Sequence, residues 1–591
     1  MLIAGLILRL LCLLLPPGDD VNRYLLEGQA IWSGINVWAF APIEYSMAEG
    51  VNHADRATVY PPLAQFVFAL VACVSSLGGK IWQILALFFD LGSMAILYRL
   101  LVTNRQKKYF FILWLSPLPM ISFAVGGHYD SLFVLLFLLA LYFRKQGNAF
   151  LSALCLGLAC GLKYQLLPLI IFFGGSTFFL VFLVVFLTPW CVAYLVFFLP
   201  QGVAVGAFFE TAHWFTYTME YASCLPQLLM LGGVNQILTV QILGGLYFVF
   251  LLGLWLFQPG LQKSLMLASL ALILVYPTVH YWYLYLVLVL WVMSPTIQVW
   301  WMAHLLMISG VLSYIRPGFP HFPLLEFCAY VSLLLPLFLD SKKGKEPTVG
   351  VVIPVLSGDA DRLSQLLSDL YSQNTTPDQV VVSEGGLKTD LLGQCLGLGV
   401  FHISSVSGRG QQIFNGMMAV KTDVILVLHA DSRISRDVIR DIKQIMRDQE
   451  IVGGCLTHEY RESGSWLRFT QWINWLRVHI TGLSFGDQGQ FFRRHLLFSH
   501  RVFEPAPLME DVALSLKLSE AGKTFVLKGG LYSSSRQWKE GLVQKLGHAR
   551  KIAVLVTTYL MRRRLGIKQP FSAYYRYYYS PVGKSRNSQG I

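Results

Sequence analysis

The sequence predicts a two-part chain: a multi-pass α-helical membrane part of about eleven or twelve helices, then an α/β domain on a mostly parallel sheet. Three observations predict it. Apolar runs long enough to approach a ~30 Å hydrocarbon core recur from residue 1 to about 339. After Glu346 the pattern changes to short β-branched runs separated by helical stretches. Charge is also partitioned: residues 1–340 hold 13 Lys+Arg against 12 Asp+Glu, net +1, and residues 341–591 hold 33 against 21, net +12. A chain that is 55% hydrophobic and 13% charged is too apolar to be disordered. So long a stretch of sparse charge also excludes an ordinary nucleic-acid binder, and no nucleic acid is expected as partner.

In the first part the apolar runs lie near 1–15, 63–77, 81–98, 109–125, 131–143, 149–173, 177–199, 227–257, 264–277, 281–294, 297–315 and 323–339, some too short to cross squarely. The first is followed by Pro16-Pro17-Gly18-Asp19-Asp20, without a small-residue cleavage site, and reads as an uncleaved helix. Positive residues orient the rest: the loop Arg99 to Lys108, Arg144-Lys145, and Lys342, Lys343 and Lys345 face the cytoplasm. The acidic loop from Pro16 to Tyr60 and the loop Gly126 to Asp130 then lie outside. Two runs between an outer and an inner loop are one too many, so 63–77, which starts after Pro61-Pro62, is expected to be re-entrant or interfacial. The nine cysteines contain no CxxC pair and read as small buried hydrophobes.

Residues 1–340 thus form the membrane domain, 341–347 a basic linker, 348–566 the cytoplasmic α/β domain, and 567–591 a basic and aromatic tail. A strand over Val349 to Val355, a helix from about Asp361 to Tyr371 and a strand over Gln379 to Ser383 make one βαβ unit, with further strands near 399–405 and 423–429. Apolar strands without alternation indicate a parallel sheet covered on both faces.

Several side chains carry chemistry by type and place. Adjacent carboxylates Asp19 and Asp20, at the mouth of a helix, suit a general base or a metal beside a lipid phosphate. Lys163, read as lying mid-helix, must face a wet cavity or a lipid phosphate. At a parallel sheet's switch point, an acid at a strand's C-terminal edge reaches ribose or uracil, the place of Glu384 and of Asp359. Arg409, Gln412 and Asn415 open a helix after a Gly-rich turn, where a diphosphate can sit. Asp431 ends a hydrophobic strand and can hold Mg²⁺ or Mn²⁺. Glu510-Asp511 precedes an amphipathic helix, so one carboxylate can point into the cleft. Trp466, Phe469, Ile473, Leu476 and Ile480 recur at helical spacing, flanked by Trp472 and Trp475, as in an interfacial helix; 552–561 is apolar but too short to span.

The motifs also carry two resemblances. The segments DDVNRYLLEGQAIWSGINVWAFAP, YPPL, GGHYDSL, LSALCLGLACGLKYQLLPL and YPTVHYWYLYLV, spread over most of residues 1–300, resemble the GT-C polyprenol-phosphate-dependent mannosyltransferases. This resemblance implies that Asp19 or Asp20 is a catalytic base and that His128, Asp130, Lys163 and His280 line its cavity. In the second part, VGVVIPVLSGD, VVVSEGG, GRGQQIFNGMMAVKTDVILVLHADS, GDQGQFFRR, PLMEDVALSLKL and SSRQWKEG follow one another over about 347–565. Together they resemble the GT-A fold, family-2 glycosyltransferases, particularly the bacterial subgroup with LHAD and PLMEDV motifs. This implies an inverting hexosyltransferase with Asp511 as general base beside Glu510, Asp431 on a divalent metal, Asp487 and Gln488 shaping the sugar or acceptor side, and Arg536 with Trp538 clamping diphosphate. Ser357-Gly358-Asp359 stands where the family has Asn-Glu, Glu384 where it has Asp, and His429-Ala430-Asp431 where it often has DxD. The expected partners are a nucleotide-sugar donor, a polyprenyl phosphate or other lipid acceptor, and the inner cell membrane. Two further readings stay open: an α/β enzyme on a lipid-presenting anchor, and a lipid transporter or flippase with a regulatory nucleotide-binding domain.

Overall fold

The computed structural model describes all residues except 48, 75–77, 204, 258–259, 296–297, 316–321, 335–343, 357–358, 387–398, 461–464, 534–541 and 580–591. It separates into two units, Met1–Leu252 with Leu261–Phe338, and Gly253–Gly260 with Leu339–Ile591.

The first unit is helical. Among the described residues three helices are long and apolar enough to cross a membrane, Lys80–Leu100, Ser176–Gln201 and Gln236–Phe257. The pair Asn104–Trp114 and Pro117–Val125, bent by 45°, is long and apolar enough only when its two helices are taken together. Six more apolar helices have only 10–17 residues, so the expected eleven or twelve runs resolve into few full-length spans and many short pieces. Proline explains some of the breaks. Pro117 and Pro119 follow the bend, and Pro168 lies within the 3₁₀ segment Tyr164–Phe172; each lacks the N–H that would continue an α-helical ladder. Helix Pro62–Ala72 has 11 residues, ~16 Å at the α-helical rise, short of a crossing. One pair holds the fold from inside: Arg9 Nε meets Asp90 Oδ2 at 2.8 Å, both side chains fully buried, and Tyr285 Oη donates to Asp90 Oδ1 at 2.7 Å.

In the second unit eight strands form one sheet: β1 (Val349–Leu356), β2 (Gln379–Gly385), β3 (Phe401–Ser405), β4 (Val424–Val427), β5 (Arg433–Ile434), β6 (Ile451–Tyr460), β7 (Gln490–Arg493) and β8 (Lys523–Ser533). Their order is β3-β2-β1-β4-β7-β6-β8-β5. The half β3-β2-β1-β4 is parallel, as the βαβ pattern requires. Beyond it the sheet is mixed, because β7 runs antiparallel to both β4 and β6, and β5 antiparallel to β8. The expectation of a mostly parallel sheet is corrected there. β7 joins after the helix Ser465–Thr481 and an irregular turn rather than through a βαβ crossover.

Both faces are covered. Val349, Val351, Ile353 and Val355 of β1 pack with Leu363, Leu366, Leu367 and Leu370 of helix Ala360–Tyr371 on one side. Val352 points the other way, among Ile413 and Met417 of helix Arg409–Ala419 and Leu514 and Leu518 of helix Glu510–Ala521. Strands buried on both faces have no polar alternation, which is why β1 reads as a continuous apolar run. The run 552–561 belongs to helix Leu542–Arg564, whose Leu555, Val556, Tyr559 and Leu560 pack on Val512 and Leu516. That face is core, not an interfacial surface. Phe571–Tyr579 in the expected tail is also a helix, with Tyr574 buried in the same cluster.

Candidate active sites

The clearest constellation lies where the parallel half of the sheet meets helix Glu510–Ala521. The turn before that helix puts Met509 in the left-handed region, φ 67°, so the helix starts abruptly with the acids Glu510 and Asp511 in its first turn. Asp511 Oδ2 accepts the Gly486 N–H at 2.7 Å, and Oδ1 accepts the Val512 N–H at 2.7 Å. Glu510 is buried, with Oε1 on Arg409 Nε at 2.5 Å. Burial and the adjacent Asp511 push the Glu510 carboxyl up, against the pull of Arg409. His429, just past β4, is the hub. Burial pulls its imidazole down and Arg409 adds to this, while the charges of Asp431, Asp487 and Asp511 oppose it. Val427, His429, Gly486, Glu510 and Asp511 line a cleft with an empty volume of about 230 Å³.

Two glycines make this packing possible. A Cβ on Gly486 would stand 2.9 Å from His429 Nε2 and 3.1 Å from Asp511 Oδ2. One on Gly410 would stand 2.2 Å from the carbonyl oxygen of Ala506, so the loop before Glu510 lies directly on the helix that begins at Arg409.

The residues singled out from sequence divide into two sets. Glu510 and Asp511 line one cleft with His429, Arg409 pairs with Glu510, and the charges of Asp431 and Asp487 act on the His429 imidazole. The others have structural partners. The Gln412 amide N–H donates to the carbonyls of Val355, at 2.5 Å, and Ser383, at 3.2 Å, so this buried side chain ties β1 to β2 instead of facing a diphosphate. Asn415 donates to Ser405 Oγ at 2.8 Å. Asp359, before helix Ala360–Tyr371, pairs with Arg362 at 3.1 Å. Gln488 is buried and accepts from Arg477 Nη2 at 2.7 Å. Glu384 pairs with His402 at 2.7 Å. Arg536 and Trp538 lie outside the described residues. So do the side chains of Trp466, Phe469, Leu476 and Ile480, whereas Trp472, Ile473 and Trp475 of the same helix are exposed.

Sequence reasoning gave His429 no part in the cleft, and it read Arg477 only as a basic residue of an interfacial helix. The Arg477 guanidinium stacks 3.8 Å from the Phe485 ring; burial lowers it to about 10, against the pull of Asp487 and Asp511. Both sit in motifs that were read for other residues.

A divalent metal was expected on Asp431. Among the described residues no three His, Cys, Asp or Glu side chains converge on one point. Asp431 does not end the strand as expected but is exposed in the turn between β4 and β5, and one open carboxylate fits Mg²⁺ or Mn²⁺ that takes its remaining ligands from a diphosphate and water.

In the first unit, Asp19 is fully engaged: Oδ1 accepts the Asp20 N–H at 3.0 Å and Oδ2 the Asn52 side-chain N–H at 2.6 Å. Asp20 Oδ2 lies 3.3 Å from His128 Nδ1, long for a hydrogen bond but close enough for an ion pair. His128 stacks on Trp282 at 3.8 Å, and His280 stacks on Trp282 at 4.5 Å, so the two imidazoles sandwich one indole beside Asp20. Lys163 is not mid-helix. It stands at the break between Ala149–Leu162 and Tyr164–Phe172, paired with Asp130 and 4.0 Å from the Tyr283 ring centroid. The break frees it to turn inward to a carboxylate.

Fold and site together define a helical apolar unit joined to a mixed α/β sheet whose strand ends hold an acid-lined cleft. No family model and no curated protein matches the chain. Among solved structures it is similar to S. aureus TarS, at 13% identity and TM-score 0.28, covering 37% of this chain and 43% of that one. The chain therefore spans less than half the length of TarS. It is also similar to glucosyl-3-phosphoglycerate synthase from Mycobacterium tuberculosis in complex with Mn²⁺, UDP and glucosyl-3-phosphoglycerate, at 15% identity, TM-score 0.26, and 38% and 82% coverage. Mannosyl-3-phosphoglycerate synthase from Rubrobacter xylanophilus gives 14% identity, TM-score 0.27, and 38% and 77% coverage.

Proposed function

We propose that the chain is a membrane glycosyltransferase whose second unit, on the cytoplasmic side of the inner membrane, transfers a hexose from a nucleotide-sugar to a polyprenyl phosphate or another lipid. The observation that carries this reading is the Asp511 carboxylate, held by the Gly486 N–H in a cleft that it lines with His429 and Glu510; the charges of Asp431 and Asp487 reach the same His429. Asp511 takes the proton from the acceptor oxygen as that oxygen attacks the anomeric carbon opposite the leaving diphosphate, which inverts the centre. Glu510, which lines the cleft, pairs with Arg409 and so holds that guanidinium as a counter-charge beside it. A divalent metal on Asp431 supplies neutralisation of the leaving diphosphate. The exposed Trp472, Ile473 and Trp475 suit a lipid acceptor held at the bilayer surface.

A second site is supported by the Asp20–His128 pair. In this reading the helical unit uses a lipid-linked sugar on the outer side, with Asp20 as base. Asp19, held by Asn52 and the helix N–H, shapes the loop. Supplying full-length protein with labelled nucleotide sugars and polyprenyl phosphate tests both assignments. Asp511→Asn lowers lipid-linked sugar formation by about 10²–10⁴-fold, and Asp20→Asn leaves that step intact while blocking use of the product. Unchanged product formation in Asp511→Asn overturns the first assignment.

A further inference from the structure

The turn that joins helices Leu542–Arg564 and Phe571–Tyr579 is an apolar point in basic surroundings, and the transfer chemistry above gives it no part. From Leu542 to Tyr579 the chain holds eight Lys or Arg and no Asp or Glu. The turn is tightly built. Gly566 stands at φ 66°; its N–H donates to the Arg563 carbonyl at 3.2 Å, and the Ile567 N–H donates to the Arg562 carbonyl at 2.8 Å, the pairing of a Schellman cap. Arg562 Nε closes the turn on the Lys568 carbonyl at 3.1 Å, and Gln569 Nε2 ties it to the Tyr559 carbonyl at 3.1 Å. On its inner side Tyr559 and Tyr574 are buried in the core. On its outer side Met561, Leu565 and Ile567 are 43%, 59% and 44% exposed, and Tyr575, Tyr577 and Tyr578 are exposed on the second helix.

We propose that this turn docks the second unit on an anionic bilayer surface, with Leu565 and Ile567 entering the acyl boundary and Lys568 and Arg576 meeting lipid phosphates. The cap fixes two branched apolar side chains in water, which costs free energy unless an apolar medium receives them. Nucleic acid matches the charge and the tyrosines but offers no such medium. A bilayer surface matches all three, with acyl chains for the apolar point, phosphates for the exposed Lys568 and Arg576, and the headgroup level between them for the tyrosines. An acid here would be repelled by the negative leaflet, and the segment has none. The apolar face of 552–561 is core, so the contact is confined to the turn and the helix after it. The inference rests on the unit's place beside a membrane and not on its transfer chemistry.

Hydrogen exchange of the full-length protein in lipid nanodiscs tests it, comparing phosphatidylcholine alone with an equal mixture of phosphatidylcholine and phosphatidylglycerol. The amides of residues 565–579 should exchange at least about fivefold more slowly in the anionic discs, the effect of one basic residue at such a surface. Strand β1 should exchange alike in both and reports that each variant is folded. Lys568→Glu with Arg576→Glu should remove the difference, and Leu565→Gln with Ile567→Gln should reduce it. Equal exchange of the unaltered protein in the two discs overturns the proposal, and if both rates are slow the turn is covered by protein instead. Slowing by an RNA oligonucleotide in the neutral discs, with none from phosphatidylglycerol, makes it a nucleic-acid surface and overturns the proposal as well. So does a difference that survives Lys568→Glu with Arg576→Glu. None of these readouts depends on sugar transfer, so the glycosyltransferase reading stands or falls separately.

Discussion

The backbone N–H of Gly486 donates to Oδ2 of Asp511 at 2.7 Å, and the same glycine has no room for a Cβ between that carboxylate and His429. The proposed base is thus aimed by a backbone group from a separate segment, so its direction does not depend on its own rotamer alone. Asp511→Asn should lower transfer by about 10²–10⁴-fold, the usual contribution of a positioned base. Gly486→Ala should push Asp511 aside and lower kcat, since the added Cβ would stand 3.1 Å from Asp511 Oδ2. Steady-state kinetics on both variants, with thermal unfolding as a control for folding, check this. A Gly486→Ala enzyme with unaltered kcat removes the aiming role.

Arg409 and Glu510 give a pH-dependent stability of defined sign. The Glu510 carboxyl is raised by burial and by Asp511, so folding favours its protonated form. That contribution is fully present below its ordinary value of 4.5 and is lost as pH rises through the raised value in the fold. Glu510→Gln keeps the shape without the titration. Its melting temperature relative to the unaltered protein should therefore improve steadily from pH 4.5 upward, most visibly by pH 7.5. A difference that stays flat across that window refutes the linkage.

The sequence was informative where chemistry depends on residue type and local period. The parallel half of the sheet followed from β1 and β2 having no polar alternation, and the acids that line the cleft, Glu510 and Asp511, were visible as a motif, as were Asp431 and Asp487, whose charges act on His429. It failed where partners come from distant segments. Nothing local shows that Gln412 serves the carbonyls of Val355 and Ser383, that β7 enters antiparallel beside β4, or that Glu384 is half taken by His402. Lys163 misled for another reason. Its run is apolar on both sides, and hydropathy alone does not mark the break at which the helix ends.

The aromatic sandwich beside Asp20 distinguishes two adjacent carboxylates that look equivalent in sequence. Asp19 is tied to Asn52 and the helix N–H, whereas Asp20 faces the His128 imidazole, which Trp282 holds in place by stacking. If the helical unit uses a lipid-linked sugar, Asp20→Asn should reduce turnover by at least about 10²-fold and Asp19→Asn by much less, while the latter should loosen the loop around Asn52. Hydrogen exchange of residues 49–56 reads the loop, and product formation from a lipid-linked sugar reads the chemistry. Equal losses in both variants would show that the pair acts as a unit, contrary to the separate roles assigned to them.

The buried pair of Arg9 and Asp90 carries the last prediction. Each is fully buried, and Arg9 also donates through Nη1 to the Trp114 carbonyl at 2.7 Å, while Asp90 accepts from Tyr285. Removing one partner strands a charge among apolar side chains, which typically costs 3–5 kcal/mol, about the whole margin of many folds. Asp90→Leu and Arg9→Met alone should each abolish accumulation of folded protein. The double variant should recover much of it, because replacing a buried ion pair by apolar groups of similar volume is often close to neutral. Folded yield by size-exclusion chromatography in detergent checks the cycle. If the double variant is as poorly folded as the singles, then the hydrogen bonds to Trp114 and Tyr285, and not the charge pairing, hold these helices together.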